Sequence, residues 1–358
     1  MKAVAEGRSR ASSGPDCVGT GLIALDVIFA PDSARAPVTM AGGSCGNVMA
    51  ILSYLGWRTH PIARLGKDST SARILQDLSA CGVDTKGIAR DPVAESPIII
   101  ERLYKSPSGV DGHRFEWRCP VCGSWFPRFR PPTQHATQEG QKALENASVF
   151  YFDRPSRAAI ELASKARARN ALVFFEPSTT SHKGLFKQAC GMANVVKYSH
   201  ERLGGVPELE NVSSEALVIE TLGGAGLRYS LPRRGSGSRR WTELPALPAS
   251  NFRDAAGAGD WCSSGFINRV LSNRRGSLLL KSDAWVRPAL QFGQALAAIN
   301  CSYIGARGAM YALTADQMRA RASSVAGKGE LRHLTADTSS SPLNRDVRKF
   351  CPTCVRAR

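Results

Sequence analysis

The sequence predicts an α/β protein: a doubly wound, mostly parallel sheet with helices on both faces. Three observations point there. Short apolar runs at residues 150–153, 172–177, 195–197 and 217–220 have strand length, and an Ala- and Arg-rich helical stretch, 157–169, separates the first two. Strands that alternate with helices need crossover connections, and those make neighbouring strands parallel. Glycine-rich turns precede helix-like runs at residues 41–47 and 251–266. The chain as a whole, 358 residues with 43% hydrophobic and 22% charged side chains, has an ordinary globular composition and suits one large domain.

Residues 1–16 are polar and read as a flexible N-terminus. Residues 17–29 form one apolar run, the predicted first strand, with Asp26 near its C-terminal end. The letters Gly19-Thr20-Gly21-Leu22-Ile23-Ala24 match a dinucleotide fingerprint, but that motif must follow a strand and open a helix, and these glycines precede the strand residues. Residues 38–56 read as a short strand, a turn at Gly42 and Gly43, and an apolar helix stopped by Gly56. In the loop that follows, Lys67 is no phosphate-loop lysine, since Pro61 and Asp68 stand where that motif needs Gly and Ser or Thr. Residues 96–104 have strand character, and Thr221 to Gly226 could by itself be a hairpin turn. Residues 289–304 form an apolar, helix-like segment, and residues 321–350 a polar, Ser-rich linker.

The cysteines divide in two groups. Cys17, Cys45, Cys81, Cys190, Cys262 and Cys301 are scattered in apolar contexts, as buried small hydrophobes. The other four form the pairs Cys119-Pro-Val-Cys122 and Cys351-Pro-Thr-Cys354. Two thiolates two residues apart fit a zinc knuckle, and the two knuckles complete one structural Zn²⁺ site if the tail folds back. A redox pair or a disulfide is the competitor; neither pair opens a helix after a strand, and a cytosolic protein favours the metal.

Composition sets further limits. The 47 Lys and Arg against 30 Asp and Glu give a formal charge of +17, which draws anions such as nucleotides. A basic surface without a partner is the plain alternative, and no helix-turn-helix or RNP-like pattern focuses the charge on nucleic acid. Aromatics do interleave with arginines at Trp117, Arg118, Trp125, Phe126, Arg128, Phe129 and Arg130, a pattern that can stack bases or pack around a knuckle. No apolar run reaches membrane-spanning length, because Gln291, Gln294 and Asn300 break the best one. Residues 1–16 lack the apolar core of a secretory signal, so a cytoplasmic location is expected.

Chemistry concentrates in residues 251–266. Gly257, Ala258 and Gly259 form a turn of small residues ahead of a helix, where unpaired N–H groups and the helix dipole together attract an anion. Asp260 at its mouth could take a proton from a hydroxyl while the turn holds a phosphoryl group. With Asp254 in front and Ser263, Ser264 and Gly265 behind, this stretch resembles the signature of the ribokinase-like (PfkB) carbohydrate kinases. Further motifs appear in the family's order: Gly42-Gly43 with Asn47, the Gly66-Lys67-Asp68 loop, and Thr221-Leu222-Gly223 with Gly226.

The resemblance covers residues 17–315 and implies a fold, a reaction and roles. Residues 17–320 would be the kinase domain, residues 96–133 a small β lid carrying a Cys-containing insertion, and 321–358 a linker and tail. The reaction would be ATP- and Mg²⁺-dependent phosphorylation of a hydroxymethyl group on a sugar or nucleoside-like substrate. Asp260 would be the base, Gly257 to Gly259 the anion hole, and Asp26, Gly42, Gly43 and Asn47 the acceptor site. Thr221, Gly223, Gly226, Lys197 and Asn300 would face the nucleotide. A second copy of the chain and nucleic acid stand as further partner candidates.

Several positions depart from the family pattern. Ala255 and Ala256 replace hydroxyl residues, Arg202 stands where a carboxylate is usual, and Glu176-Pro177-Ser178 replaces Asp-x-Asn. A catalytically silent binding or regulatory protein is therefore the main rival. The letters Gly42-Gly43-Ser44-Cys45-Gly46 also match a hydrolase nucleophile elbow, with Ser44 as nucleophile and His182, His200 or His333 as base.

Overall fold

The computed structural model describes residues 14–30, 37–105, 111–180, 182–205, 209, 211–233, 238–249, 251–271, 276–328 and 347–356. Strands are numbered along the chain. A nine-stranded sheet runs β13 (Thr242–Leu244), β12 (Leu227–Ser230), β11 (Leu217–Thr221), β10 (Val195–Ser199), β9 (Leu172–Phe175), β8 (Ala147–Phe152), β1 (Asp16–Thr20), β4 (Arg58–Gly66), β5 (Ile88–Asp91). Every pairing from β11 to β5 is parallel, and β12 and β13 close one edge antiparallel.

The apolar runs form strands because they are covered on both faces. Val149 to Phe152 and Leu172 to Phe175 are all buried. Their alternate side chains divide between two cores: Tyr151 and Phe174 face one side, Phe150, Phe152 and Phe175 the other, where Phe152 and Phe175 stack 4.5 Å apart. Helix Arg157–Ala168, capped by Ser156, covers this second face with Ala159, Leu162, Ala163 and Ala166.

A second, four-stranded sheet has the order β3 (Val38–Gly42), β2 (Ala24–Phe29), β6 (Ile98–Lys105), β7 (Asp111–Glu116). It corrects the single strand expected over residues 17–29. The chain leaves the large sheet after Thr20, the Leu22 N–H bonds the Asp153 carboxylate at 2.9 Å instead of a strand partner, and β2 starts afresh in the small sheet. Asp26 thus belongs to the small sheet.

Helix Ser69–Ala80 is set by a capping box between Asp68 and Ser71. Asp68 also accepts from the Ser96 N–H and hydroxyl, both at 2.9 Å, so the Gly66–Asp68 loop ties this helix to the approach to β6. Helix Ala258–Phe266 crosses Asp283–Asn300 at a glycine contact, where a Cβ on Gly265 would sit 2.6 Å from the Gly293 Cα.

The polar segment expected from residue 321 onward begins as the end of helix Ala315–Lys328, with Ala322 and Val325 buried on one side. Residues 329–346, with His333, and residues 1–13 lie outside the described residues. Residues 347–356 return to the body as a turn, Val347–Lys349, and a short helix, Pro352–Arg356. Among the described residues no helix is long and apolar enough to cross a membrane.

Candidate active site

Helix Ala258–Phe266 starts directly after Gly257, whose φ of 71° is left-handed. A Cβ there would lie 2.3 Å from the Ala306 carbonyl oxygen, so only glycine fits this turn. The Ala258 N–H donates to Ala255 O at 3.1 Å and the Trp261 N–H to Gly257 O at 2.9 Å. Among the described residues, no protein acceptor takes the amide N–H of Gly257, Gly259 or Asp260. Free donors therefore converge at the positive end of a nine-residue helix. Ala258 differs from its two glycine neighbours in using its N–H to build the turn.

The turn is held from behind. Asp254 accepts from Ala256 N at 2.9 Å, Gly305 N at 2.7 Å and His113 Nδ1 at 3.1 Å. Burial opposes its ionisation, but these donors hold its carboxyl below the usual range. Asn300 donates to Ala256 O and Gly305 O, both at 3.3 Å, and accepts from Ala309 N at 3.1 Å. Its fully buried side chain thus braces the turn from beneath.

Asp260 is buried, and its Oδ2 accepts from Asn47 Nδ2 at 2.8 Å, which joins two residues 213 apart in sequence. Burial and then the charge of Glu176 push its pKa up to about 7, against the opposing pull of Asn47 and Lys197. Beneath it, Lys197 Nζ lies 2.5 Å from Glu176 Oε1 and donates to Gly259 O at 3.1 Å. Burial alone would lower the Lys197 pKa; Glu176 outweighs it and keeps the ammonium charged. Glu176 Oε2 accepts from the Tyr151 hydroxyl at 3.1 Å and from Ser263 Oγ at 2.5 Å.

The small sheet supplies a second set of groups. In the β2–β6 register Asp26 lies opposite Ile99 and Ile28 opposite Glu101, so alternation puts Asp26 and Glu101 on one face. His113, paired with Leu103, shares that face and reaches Asp254 in the body. Burial raises the pKa of Asp26 to about 7 and also raises that of Glu101. Asp26 Oδ1 and both Glu101 oxygens have no hydrogen-bond partner among the described residues. A Cβ on Gly42 would fall 1.9 Å from Asp26 Oδ2, so this glycine makes room for the carboxylate. Gly43, with φ of 78°, precedes the helix Ser44–Tyr54 that carries Asn47. At the end of β8, Asp153 pairs with Arg154 at 2.7 Å, and burial raises its pKa to about 6.

Thr221 ends β11 beside Ser199 of β10, and its hydroxyl lies 3.4 Å from Tyr198 O. Gly223 opens a short turn, Gly223–Ala225, with open space at its Cβ position. Gly226 fits a tight approach, since a Cβ there would lie 2.2 Å from Leu244 O. Arg202 is exposed on the one-turn helix His200–Leu203, while the buried Glu220 nearby pairs with His200 at 2.6 Å and Arg228 at 2.5 Å.

The tail folds back as the zinc expectation required. The sulfurs of Cys119, Cys122, Cys351 and Cys354 all lie within 4.8 Å of one another, with Cys119–Cys354 at 3.9 Å and Cys122–Cys351 at 3.6 Å. Residues 119–124 form a tight loop closed by Cys119 N to Ser124 O at 2.8 Å and turned at Gly123. The other six cysteines are buried, as expected of small hydrophobes.

Sequence reasoning missed Glu101 and His113, because a lone acid in an apolar strand and a lone His on the next carry no motif. The anchoring parts of Tyr151 and Ser263 were equally silent. The strand–turn–helix context of Ser44 fits an elbow, but the hydrolase reading lacks its base: His200 is engaged by Glu220, and no described histidine is hydrogen-bonded to Ser44.

The geometry agrees with comparisons to known proteins. The model of the pfkB family carbohydrate kinases matches residues 16–101 and 128–312. A probable fructokinase-7 of Arabidopsis thaliana is 24% identical over 312 residues, covering 80% of this chain and 84% of its own. Among solved structures, a fructokinase with bound ATP from Xylella fastidiosa superposes with a TM-score of 0.63 at 18% identity, covering 88% of this chain and 99% of its own. A ribokinase of Arabidopsis thaliana complexed with ribose and ATP superposes with a TM-score of 0.60 at 15% identity, covering 87% and 99%. The small sheet over a nine-stranded one, the glycine turn with Asp260 and the matched segments lead to one conclusion: the chain belongs to the pfkB family and is a carbohydrate kinase.

Proposed function

We infer that this kinase transfers the γ-phosphoryl group of ATP to a hydroxymethyl group of a sugar or nucleoside-like acceptor. The observation that carries the reading is Asp260, a buried carboxylate with its pKa raised to about 7, at the mouth of a helix terminus with three unpaired amides. Asp260 takes the hydroxyl proton as that oxygen attacks the γ-phosphorus, and ADP leaves with the former bridging oxygen. The N–H groups of Gly257, Gly259 and Asp260 hold the charge of the transferring group. Asn47 orients Asp260, and Asp26 and Asn47 with Gly42 and Gly43 receive the acceptor. Thr221 and Gly223 lie at the nucleotide end, with Gly226, Asn300 and Lys197 holding the backbone that meets it.

The unpaired amides fit a phosphate. Mg²⁺ bound with the nucleotide would neutralise its phosphate charge; both Glu176 oxygens already have protein donors, so the phosphates and water would hold the ion. The nucleoside kinase of Burkholderia thailandensis in complex with inosine, which superposes with a TM-score of 0.59 at 16% identity, is why nucleosides stay beside sugars as acceptors.

The test is ATP consumption against a panel of sugars and nucleosides, with Asp260→Asn in parallel. Turnover should fall by about 10²–10⁴-fold in the variant while ATP binding persists. Unchanged turnover would remove Asp260 from the mechanism. ATP binding with no acceptor turned over by the parent would favour the silent reading.

A further inference from the structure

We propose that Cys119, Cys122, Cys351 and Cys354 hold one zinc ion that fastens the C-terminal tail to the hinge of the small sheet. The cysteine geometry is a metal's. Four thiolates about 2.3 Å from a tetrahedral zinc lie about 3.8 Å from one another. The two cross-pairs here stand at 3.6 and 3.9 Å, far beyond a disulfide bond of about 2.05 Å. Both halves of the cluster lie outside the segments matched by the family model, 16–101 and 128–312, so the family match does not account for the site.

Its position gives it a role. The outer hairpin of the small sheet, β6 and β7, joins the body through two crossings: residues 92–97 before β6 and residues 117–133 after β7. The incoming crossing is tied to the start of helix Ser69–Ala80 by the Asp68–Ser96 hydrogen bonds. The tail docks on the same helix start, where Ser69 Oγ donates to Lys349 O at 2.9 Å and Thr70 Oγ1 to Phe350 O at 3.3 Å. Val347, Phe350 and Cys351 are buried there, and Arg356 pairs with Glu95 of the incoming crossing. The outgoing crossing carries Cys119 and Cys122. A zinc ion therefore ties it to a tail already anchored at the incoming one. With both crossings fixed, β7 holds His113 against Asp254 and the small sheet holds Asp26 over the acceptor side.

Metal binding does not depend on the kinase reading; only the kinetic consequence does. The full chain is purified under reducing conditions and its zinc measured beside Cys122→Ser and Cys354→Ser, which each remove a ligand from a different half. We expect about one zinc per parent chain, lost in both variants. Chelating the parent gives the same comparison if a variant fails to fold. Hydrogen exchange should then speed up in residues 111–125 and 347–356 and stay unchanged in β8 to β11. With an acceptor in hand, its KM should rise several-fold on zinc removal while kcat and ATP affinity hold. A zinc-free parent, zinc retained by either variant, or exchange in β7 indifferent to zinc overturns the proposal. So does an unchanged acceptor KM in the zinc-free enzyme.

Discussion

In the proposed mechanism Asp260 acts as a base, which it can do only when ionised. Burial and Glu176 raise its pKa to about 7, and the Asn47 hydrogen bond pulls it down. Proton abstraction is lost as the carboxylate protonates, so kcat/KM should fall about tenfold per pH unit below the pKa and level off above it. Removing the Asn47 donor removes a stabiliser of the charged form and raises that pKa. The acid limb of the pH–rate profile should therefore move to higher pH in Asn47→Leu. A limb that stays in place or moves to lower pH would show that another group titrates.

The helix that carries Asp260 is positioned by its crossing with Asp283–Asn300. Gly265 and Gly293 let the two backbones touch: a Cβ on Gly265 would sit 2.6 Å from Gly293 Cα, and one on Gly293 2.5 Å from Cys262 O. Trp261, fully buried, fixes the rotation of the same helix through its indole N–H to Ala306 O at 3.0 Å. Backbone atoms cannot swing aside as a side chain can. Gly265→Ala should therefore cost about 1–3 kcal/mol of stability in urea unfolding. It should also lower turnover, by shifting Asp260 and the free amides together. A variant as stable and active as the parent would mean the crossing tolerates a wider spacing.

Across the whole molecule, charge is distributed unevenly. The chain carries +17, yet Asp26, Glu101, Asp153, Glu176, Asp254 and Asp260 gather around the site, where Lys197 and Arg154 are already engaged by carboxylates. If the proposed function holds, the net positive charge would attract ATP from a distance, while the acids would suit the hydroxyls of an uncharged acceptor. Raising the ionic strength should therefore increase the KM for ATP and leave that for a neutral sugar almost unchanged. If both respond alike to salt, long-range attraction is not what brings the nucleotide in.

The sequence by itself determined the layered α/β plan, the glycine turn with its acid, and the four cysteines that belong together. Each is a local signal: strand-length apolar runs, a turn that only small residues fit, two Cys pairs of identical spacing. The same locality misled at residues 17–29, where one apolar run is two strands of different sheets, and the Leu22 N–H between them bonds Asp153, far along the chain. Tertiary structure alone decided that Asn47 meets Asp260 and that Lys197 lies between Glu176 and Gly259. It alone placed Glu101 and His113 beside Asp254 and the tail cysteines beside Cys119 and Cys122. Such pairings join residues far apart in the chain, and no spacing in a sequence encodes a distance that exists only after the sheets have packed.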